Sequence, residues 1–285
     1  MGAFTRTPSA ALSRRPLETL RPNPAPGRLR QAVFDFDGTL SLVRTGWQQV
    51  MAEQMAAALR ATPGLQAAGY DEARLRALTD EAIYGLAGRP TNVQMEWLAE
   101  TVREAGGTPL SAEAYKTEYL ELLAARVHHL ADLRAGRVPA GDLRVPGALE
   151  FISALAARGI TCSIASGTDE QGVRDEADAL GFTASIREIR GARSDGLDAK
   201  RVLIDRLTAE HHLAPGELAA FGDGRMEMVC ARSAGGLAVG VASNEFERRG
   251  INEQKRGVLI AAGADAIIPD FSDSTALMDY LFPAG

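Results

Sequence analysis

The chain has 285 residues, of which 46% are hydrophobic, 24% charged and 6% aromatic. That composition excludes a disordered or fibrous protein and leaves room for one or two packed domains. The net charge of −6 conceals an asymmetry, because residues 1–30 hold six Arg and one Glu, or +5, which leaves −11 for the remainder; an acidic body argues against nucleic acid as the main partner.

Residues 1–30 also carry five of the thirteen prolines and no apolar h-region. They read as a disordered extension rather than a secretory signal, with a transit peptide or an anionic-surface contact as the weaker readings of the Arg-rich pattern. The opening Met-Gly lacks the hydroxyl residue of a myristoylation motif, since Arg6 stands there. No apolar run approaches the roughly 18 residues that cross a bilayer, so no membrane partner is expected. The two cysteines, Cys162 and Cys230, match no metal or redox spacing, which suits a reducing compartment and a cytoplasmic location.

From Leu29 onward, short β-rich runs alternate with helical patterns, which predicts an α/β fold with a parallel sheet. The predicted strands are Gln31–Phe36, Ile160–Ala165, Leu218–Gly222, Leu237–Val241 and Ala266–Ile268. The predicted helices between and after them are Gly147–Arg158, Thr168–Leu180, Ala199–His211, Met226–Ser233, Glu253–Ala262 and Thr275–Leu281. One interval reads as helix only: Trp47–Arg60, Asp71–Leu86, Asn92–Glu104 and Ser111–Leu133. The expected organisation is therefore an extension at 1–30, a core made of 31–42 and 145–285, and an inserted helical cap at 43–144.

In a sheet of this kind ligands bind beyond the carboxyl ends of the strands. The first strand ends in Asp35-Phe36-Asp37-Gly38-Thr39, the second in Ser166-Gly167-Thr168, and the "LAAFGDGRMEM" segment in Asp223, with Glu227 four residues on; Lys200 opens the helix before that last strand. Period-two alternation sends Asp35 and Asp37 to one side. Carboxylates, a hydroxyl and a lysine converging on one point suit phosphoryl transfer, which asks for a positioned nucleophile and neutralised oxygens. A hard divalent cation such as Mg2+ fits the oxygen cluster and relieves the repulsion between the aspartates. With it bound, one carboxylate can attack phosphorus while the other handles the proton.

These four elements, in this order, resemble motifs I to IV of the haloacid dehalogenase superfamily, mostly Mg2+-dependent phosphohydrolases with a Rossmann-like core. The resemblance covers Gln31 to about Asp270 and places the helical interval where some members carry a cap. It implies that Asp35 is the nucleophile and that its carboxylate, with the backbone carbonyl of Asp37, binds Mg2+. It further implies that Asp37 is the general acid/base and that Asp223 and Glu227 complete the metal site. Ser166 and the Gly167 amide would hold the phosphoryl oxygens beside Thr168, and Lys200 would neutralise the transition state, with Arg193 or Arg201 as stand-ins nearby. An aspartate at 37 favours a phosphate ester over a carbon–halogen or carbon–phosphorus substrate.

The cap would select the substrate, with Arg44 at the hinge and Gly88, Arg89 and Pro90 in the "AGRPT" turn as candidate contacts. The implied activity is a phosphatase of small phosphorylated metabolites, sugar or polyol phosphates, through an aspartyl-phosphate. A sugar-phosphate mutase and a non-catalytic binding protein on the same fold are the alternatives. The pairs His128-His129 and His211-His212 read as structural, because adjacent helix positions diverge by roughly 100°. The stripe with Trp47, Met51, Met55 and Trp97 reads as cap core. "ASNEFERRG" reads as a polar loop and helix start, with Asn244 and Glu245 as the residues that would border a pocket.

Overall fold

The computed structural model describes residues 17–86, 89–192 and 198–283. Its centre is a seven-stranded sheet in the order β1-β7-β6-β5-β2-β3-β4, comprising β1 (Glu18–Thr19), β2 (Gln31–Phe34), β3 (Thr161–Asp169), β4 (Glu188–Ala192), β5 (Leu218–Gly222), β6 (Leu237–Val241) and β7 (Ala266–Ile268). All neighbouring pairs are parallel except β1 with β7.

Parallel strands covered on both faces read as continuous apolar runs, and β2, β5 and β6 are buried at every position. Their side chains alternate between two clusters. Ala32 and Phe34 join Phe221, Phe151 and Phe271 on one face, whereas Val33 and Ala220 join Leu203, Met228 and Ile267 on the other. On the first face Phe34 stacks on Phe221 with ring centroids 4.7 Å apart.

Between β2 and β3 lie α1 (Trp47–Arg60), α2 (Pro63–Ala67), α3 (Glu72–Gly85), α4 (Thr91–Glu104), α5 (Ala112–Arg126) and α6 (His129–Arg134). In α1 the buried residues Val50, Met51, Gln54, Met55 and Leu59 recur at helical spacing. Of these, Val50, Met51, Met55 and Leu59 pack with Leu75, Ile83, Met95, Leu98, Tyr115 and Tyr119 into a third apolar cluster, separate from the two on the sheet. Asp71 caps α3 by accepting from the Arg74 amide, and Ser111 caps α5 by accepting from the Ala114 amide. The two chain crossings beneath this layer run side by side, with Leu42 N donating to Leu143 O at 2.8 Å and Val145 N to Leu40 O at 2.9 Å. The remaining helices are α7 (Ala148–Ala157), α8 (Glu170–Ala179), α9 (Ala199–Glu210), α10 (Arg225–Ser233), α11 (Glu253–Ala261) and α12 (Ser274–Leu281).

Several expectations change. Residues 17–30 are not a loose extension: Glu18 and Thr19 pair with Ile267 and Ala266, and Arg256 binds the Glu18 carboxylate at 2.7 Å. Residues 1–16 lie outside the described residues. Strand β4, "EIRGA", escapes a search for apolar runs because only alternate positions are buried and Glu188 pairs with Arg190 on the strand itself. The helix read over Ser111–Leu133 breaks after Arg126, where Val127 is extended and the His129 ring nitrogen bonds the Val43 carbonyl at 3.1 Å. Strand β3 continues through Ser166-Gly167-Thr168 with a register shift against β4, so α8 starts at Glu170 rather than Thr168. The segment after β6 forms turns, not a helix start, before α11. Both cysteines are buried and unpaired. Among the described residues no helix is long and apolar enough to cross a membrane.

Candidate active site

A cavity of about 300 Å³ lies between the carboxyl ends of β2, β3 and β5 and the helices α1, α3, α4 and α5. Asp35, Asp37, Ser166, Gly167, Thr168, Lys200 and Asp223 line it from the sheet side, and Arg44 and Arg89 from the helical side. Of the seven on the sheet side, six lie on loops or strand ends and Lys200 on the first turn of a helix, at places far apart in the chain. The parallel topology brings them together, since it puts the carboxyl ends of β2, β3 and β5 on one edge.

β2 ends at Phe34, earlier than its apolar pattern suggests, so alternation is not what aligns the two aspartates. The chain turns at once: the amides of Thr39, Leu40 and Ser41 all donate to Phe36 O, and Gly38 takes φ +76°. Only glycine fits there. A β-carbon on Gly38 would collide with the Asp223 carboxylate, beyond the strain of the left-handed backbone. The turn leaves Asp35 buried on the cavity floor and carries Asp37 to the wall.

Lys200 is the central cation. Asp198 caps α9 by accepting from the Lys200 amide at 2.9 Å and the Arg201 amide at 3.2 Å. From that first turn the Lys200 ammonium reaches Asp35 Oδ1 at 2.9 Å and contacts Glu227 Oε1. Burial works against its charge, but Asp35 and Glu227 carry its pKa above the ordinary lysine value. Asp35 is raised well above the usual carboxylate range. Burial is the main cause, Lys200 opposes it, and Glu227 and Asp223 add to it. Glu227 crosses over Gly222, where any side chain would strike it. It does not line the cavity; its place is behind Lys200.

Asp37 is held from two sides. Thr168 Oγ1 donates to its Oδ2 at 2.7 Å and Ser166 Oγ to the same atom at 3.4 Å. On the other side Arg44 Nε stands 3.3 Å from Oδ1. Arg44 also binds Glu176 of α8. Burial disfavours the guanidinium charge, and Asp37 and Glu176 together outweigh that. Arg44, expected as a substrate contact, is thus committed to two carboxylates. Burial raises the Glu176 carboxyl to about 7 against the pull of Arg44. Arg89 stands exposed at the cavity mouth and has no ion pair among the described residues. Gly88 and Arg193 lie outside the described residues.

The site also contains a residue that sequence reasoning missed. Lys255, 3% exposed, reaches in from α11 and places its ammonium 2.6 Å from Asp223 Oδ2, 2.8 Å from Glu245 Oε1 and 3.1 Å from Ser243 Oγ. Ser243 in turn donates to Gly38 O. Burial depresses the Lys255 charge, but Asp223 and Glu245 raise its pKa above the ordinary value. Gln48 of α1 donates to the same Glu245 oxygen at 3.1 Å. Glu245 is therefore a buried partner of the site, not part of a solvated loop. The available signal was the Asn252 cap three residues before a lysine, which is common on surface helices and so carries little information.

Whether the acidic set fits a cation follows from these contacts. Among the described residues no three His, Cys, Asp or Glu side chains already form a ligand cage. The four-residue metal set read from the sequence is instead divided, with Lys200 between Asp35 and Glu227 and Lys255 on Asp223. Yet Asp35, Asp37 and Asp223 all line one cavity with hard oxygen atoms, and the Asp35 carboxyl still feels Glu227 and Asp223 through the lysine. That donor chemistry fits a hard divalent cation at Asp35, Asp223 and the Asp37 backbone carbonyl.

A family model described as haloacid dehalogenase-like hydrolase matches residues 29–235. The chain belongs to that family of hydrolases, whose phosphatase members generally use a divalent metal. Among solved structures, a predicted phosphoglycolate phosphatase from Haemophilus somnus superposes with a TM-score of 0.56 at 17% identity, over 88% of this chain and 98% of that one. A predicted phosphatase from Clostridium acetobutylicum gives 0.53 at 17%, over 88% and 97%. A candidate beta-phosphoglucomutase from Bacteroides vulgatus gives 0.53 at 16%, over 89% and 90%. At these identities the likeness is one of fold. No curated protein matches the chain.

Proposed function

We propose that the protein is a Mg2+-dependent phosphatase of small phosphorylated metabolites, of the sugar or polyol phosphate class, acting through an aspartyl-phosphate on Asp35. The observation that carries this reading is the pairing of Asp35 with Lys200 on the cavity floor while Asp37 is held beside it by Thr168. A nucleophile and a proton-handling group are thereby kept on separate supports.

In this reading Asp35 attacks the phosphorus and the ester P–O bond breaks. Asp37 gives its proton to the departing oxygen, then takes one from the water that attacks the phosphoryl group and restores Asp35. Ser166 and the Gly167 amide bind the equatorial oxygens, and Lys200 neutralises the charge that develops on them. Asp35, Asp223 and the Asp37 carbonyl would hold a divalent cation, which when bound would supply further charge neutralisation at the phosphoryl group. Glu227 keeps Lys200 in place. The helices of 43–144 act as a cap that excludes bulk water over a core of 31–42 and 145–285.

The test is phosphate release from a panel of sugar, polyol, nucleotide and glycolate phosphates, with Mg2+ and with a chelator. Steady Mg2+-dependent release is expected. Silence on the whole panel would refute the reading, and rearranged sugar phosphate without release would point to phosphotransfer instead.

A further inference from the structure

Two neutral polar side chains on the helical wall of the cavity make no hydrogen bond among the described residues. Gln94 of α4 is 3% exposed and Tyr119 of α5 is 4% exposed, and both line the cavity. Among the described residues neither side chain makes a hydrogen bond. Their polar ends open on the cavity rather than into packed protein, so a ligand that fills this space meets two groups free to pair with it. Burial raises the Tyr119 hydroxyl above its ordinary range, so it remains a neutral donor.

The cations of the same cavity are already engaged. Lys200 holds Asp35 and Glu227, Lys255 holds Asp223 and Glu245, and Arg44 holds Asp37 and Glu176. Lys116 of α5 stands 3.5 Å from Asp169. Arg89 remains, but at the exposed mouth. Past the phosphoryl position, the inner wall therefore offers amide and phenol groups over apolar surface from Trp47, Met51, Ile83 and Leu123. Among the described residues each cation of this inner wall already faces a carboxylate, which leaves a second anion without a free counter-charge.

We propose that Gln94 and Tyr119 are specificity-determining residues that read the hydroxyl groups of an uncharged, polyhydroxylated leaving group, packed by its carbon skeleton on the apolar wall. This rests on the phosphatase reading and narrows it: esters whose leaving group bears a carboxylate or a second phosphate are poor substrates. A site built to bond a hydroxyl discriminates against the analogue that lacks it, because its own groups are then left unpaired.

The experiment compares three esters, glycerol 3-phosphate, phosphoglycolate and propyl phosphate, on the wild type, Gln94→Leu and Tyr119→Phe. The wild type should favour the glycerol ester over both others by at least about tenfold in kcat/KM. Each variant should lower kcat/KM for the glycerol ester by about tenfold, mainly through KM, and shrink its advantage over the propyl ester. Tyr119→Phe keeps the ring, and unchanged melting temperature and circular dichroism exclude misfolding as the cause. Preference for phosphoglycolate overturns the proposal, as does an equal loss on all three esters or no change on any. If the wild type hydrolyses none of the three but releases phosphate elsewhere on the wider panel, this inference falls while the phosphatase reading stands; if the whole panel is silent, both fall.

Discussion

The Lys255 ammonium lies 2.6 Å from Asp223 Oδ2, across a distance of 32 residues in the chain, and links α11 both to the acidic edge of the cavity and to Glu245. A lysine this deep is tolerable only because two carboxylates and a hydroxyl surround it. Removing it takes the cation from both carboxylates, leaving Glu245 with Gln48 and Asp223 facing the cavity without its closest counter-charge. Lys255→Met should therefore cost about 3–5 kcal/mol of unfolding free energy, measured by urea titration. A loss near zero would show that solvent reaches the cluster.

Asp35→Asn tests the nucleophile without removing its neighbours. Lys200 keeps Glu227 as a partner, so the fold should persist, while phosphate release falls by at least about a thousandfold, equivalent to about 4 kcal/mol of barrier. Retained turnover with an unchanged circular dichroism spectrum would move the nucleophile elsewhere.

The Thr168 side chain acts on Asp37, while its amide donates to Ser166 Oγ. Its hydroxyl donates to Asp37 Oδ2 at 2.7 Å. Thr168→Val keeps the branched shape and removes that bond, which should reduce kcat by about tenfold. The melting temperature should move little. A fall in KM with unchanged kcat would contradict a role in holding the acid/base.

Glu176 makes stability depend on pH. Its folded pKa, about 7, exceeds the ordinary value of 4.5, so between those values the folded chain keeps a proton that the unfolded chain has released. Stability is then full below about 4.5 and declines as pH rises toward about 7, by up to about 3 kcal/mol. Glu176→Gln should flatten that decline while its amide oxygen still accepts from Arg44. Parallel slopes for wild type and variant would assign the pH dependence to another group.

Much of the fold was legible because its strands are short, apolar and fully buried, and such strands stand out from amphipathic helices in any window. β5, β6 and β7 match their predicted bounds, and α1 matches residue for residue. What escaped was half-buried or short. β4 carries a Glu-Arg pair on the strand, and β1 has two residues in a proline-rich stretch whose order comes from its contact with β7. Local pattern has no term for either.

The sequence by itself determined which residues are candidates for the chemistry: an aspartate pair after a buried strand, a hydroxyl strand end, a capped lysine and an acidic turn, carried by elements that the parallel topology brings to one edge. Only the tertiary structure decided how those charges are shared. It placed Glu227 behind Lys200, turned Arg44 toward Asp37 and Glu176, and brought Lys255 and Glu245 to Asp223. Spacing along the chain predicts which element carries a group, but the partner of a buried charge is chosen by three-dimensional proximity where water cannot compete.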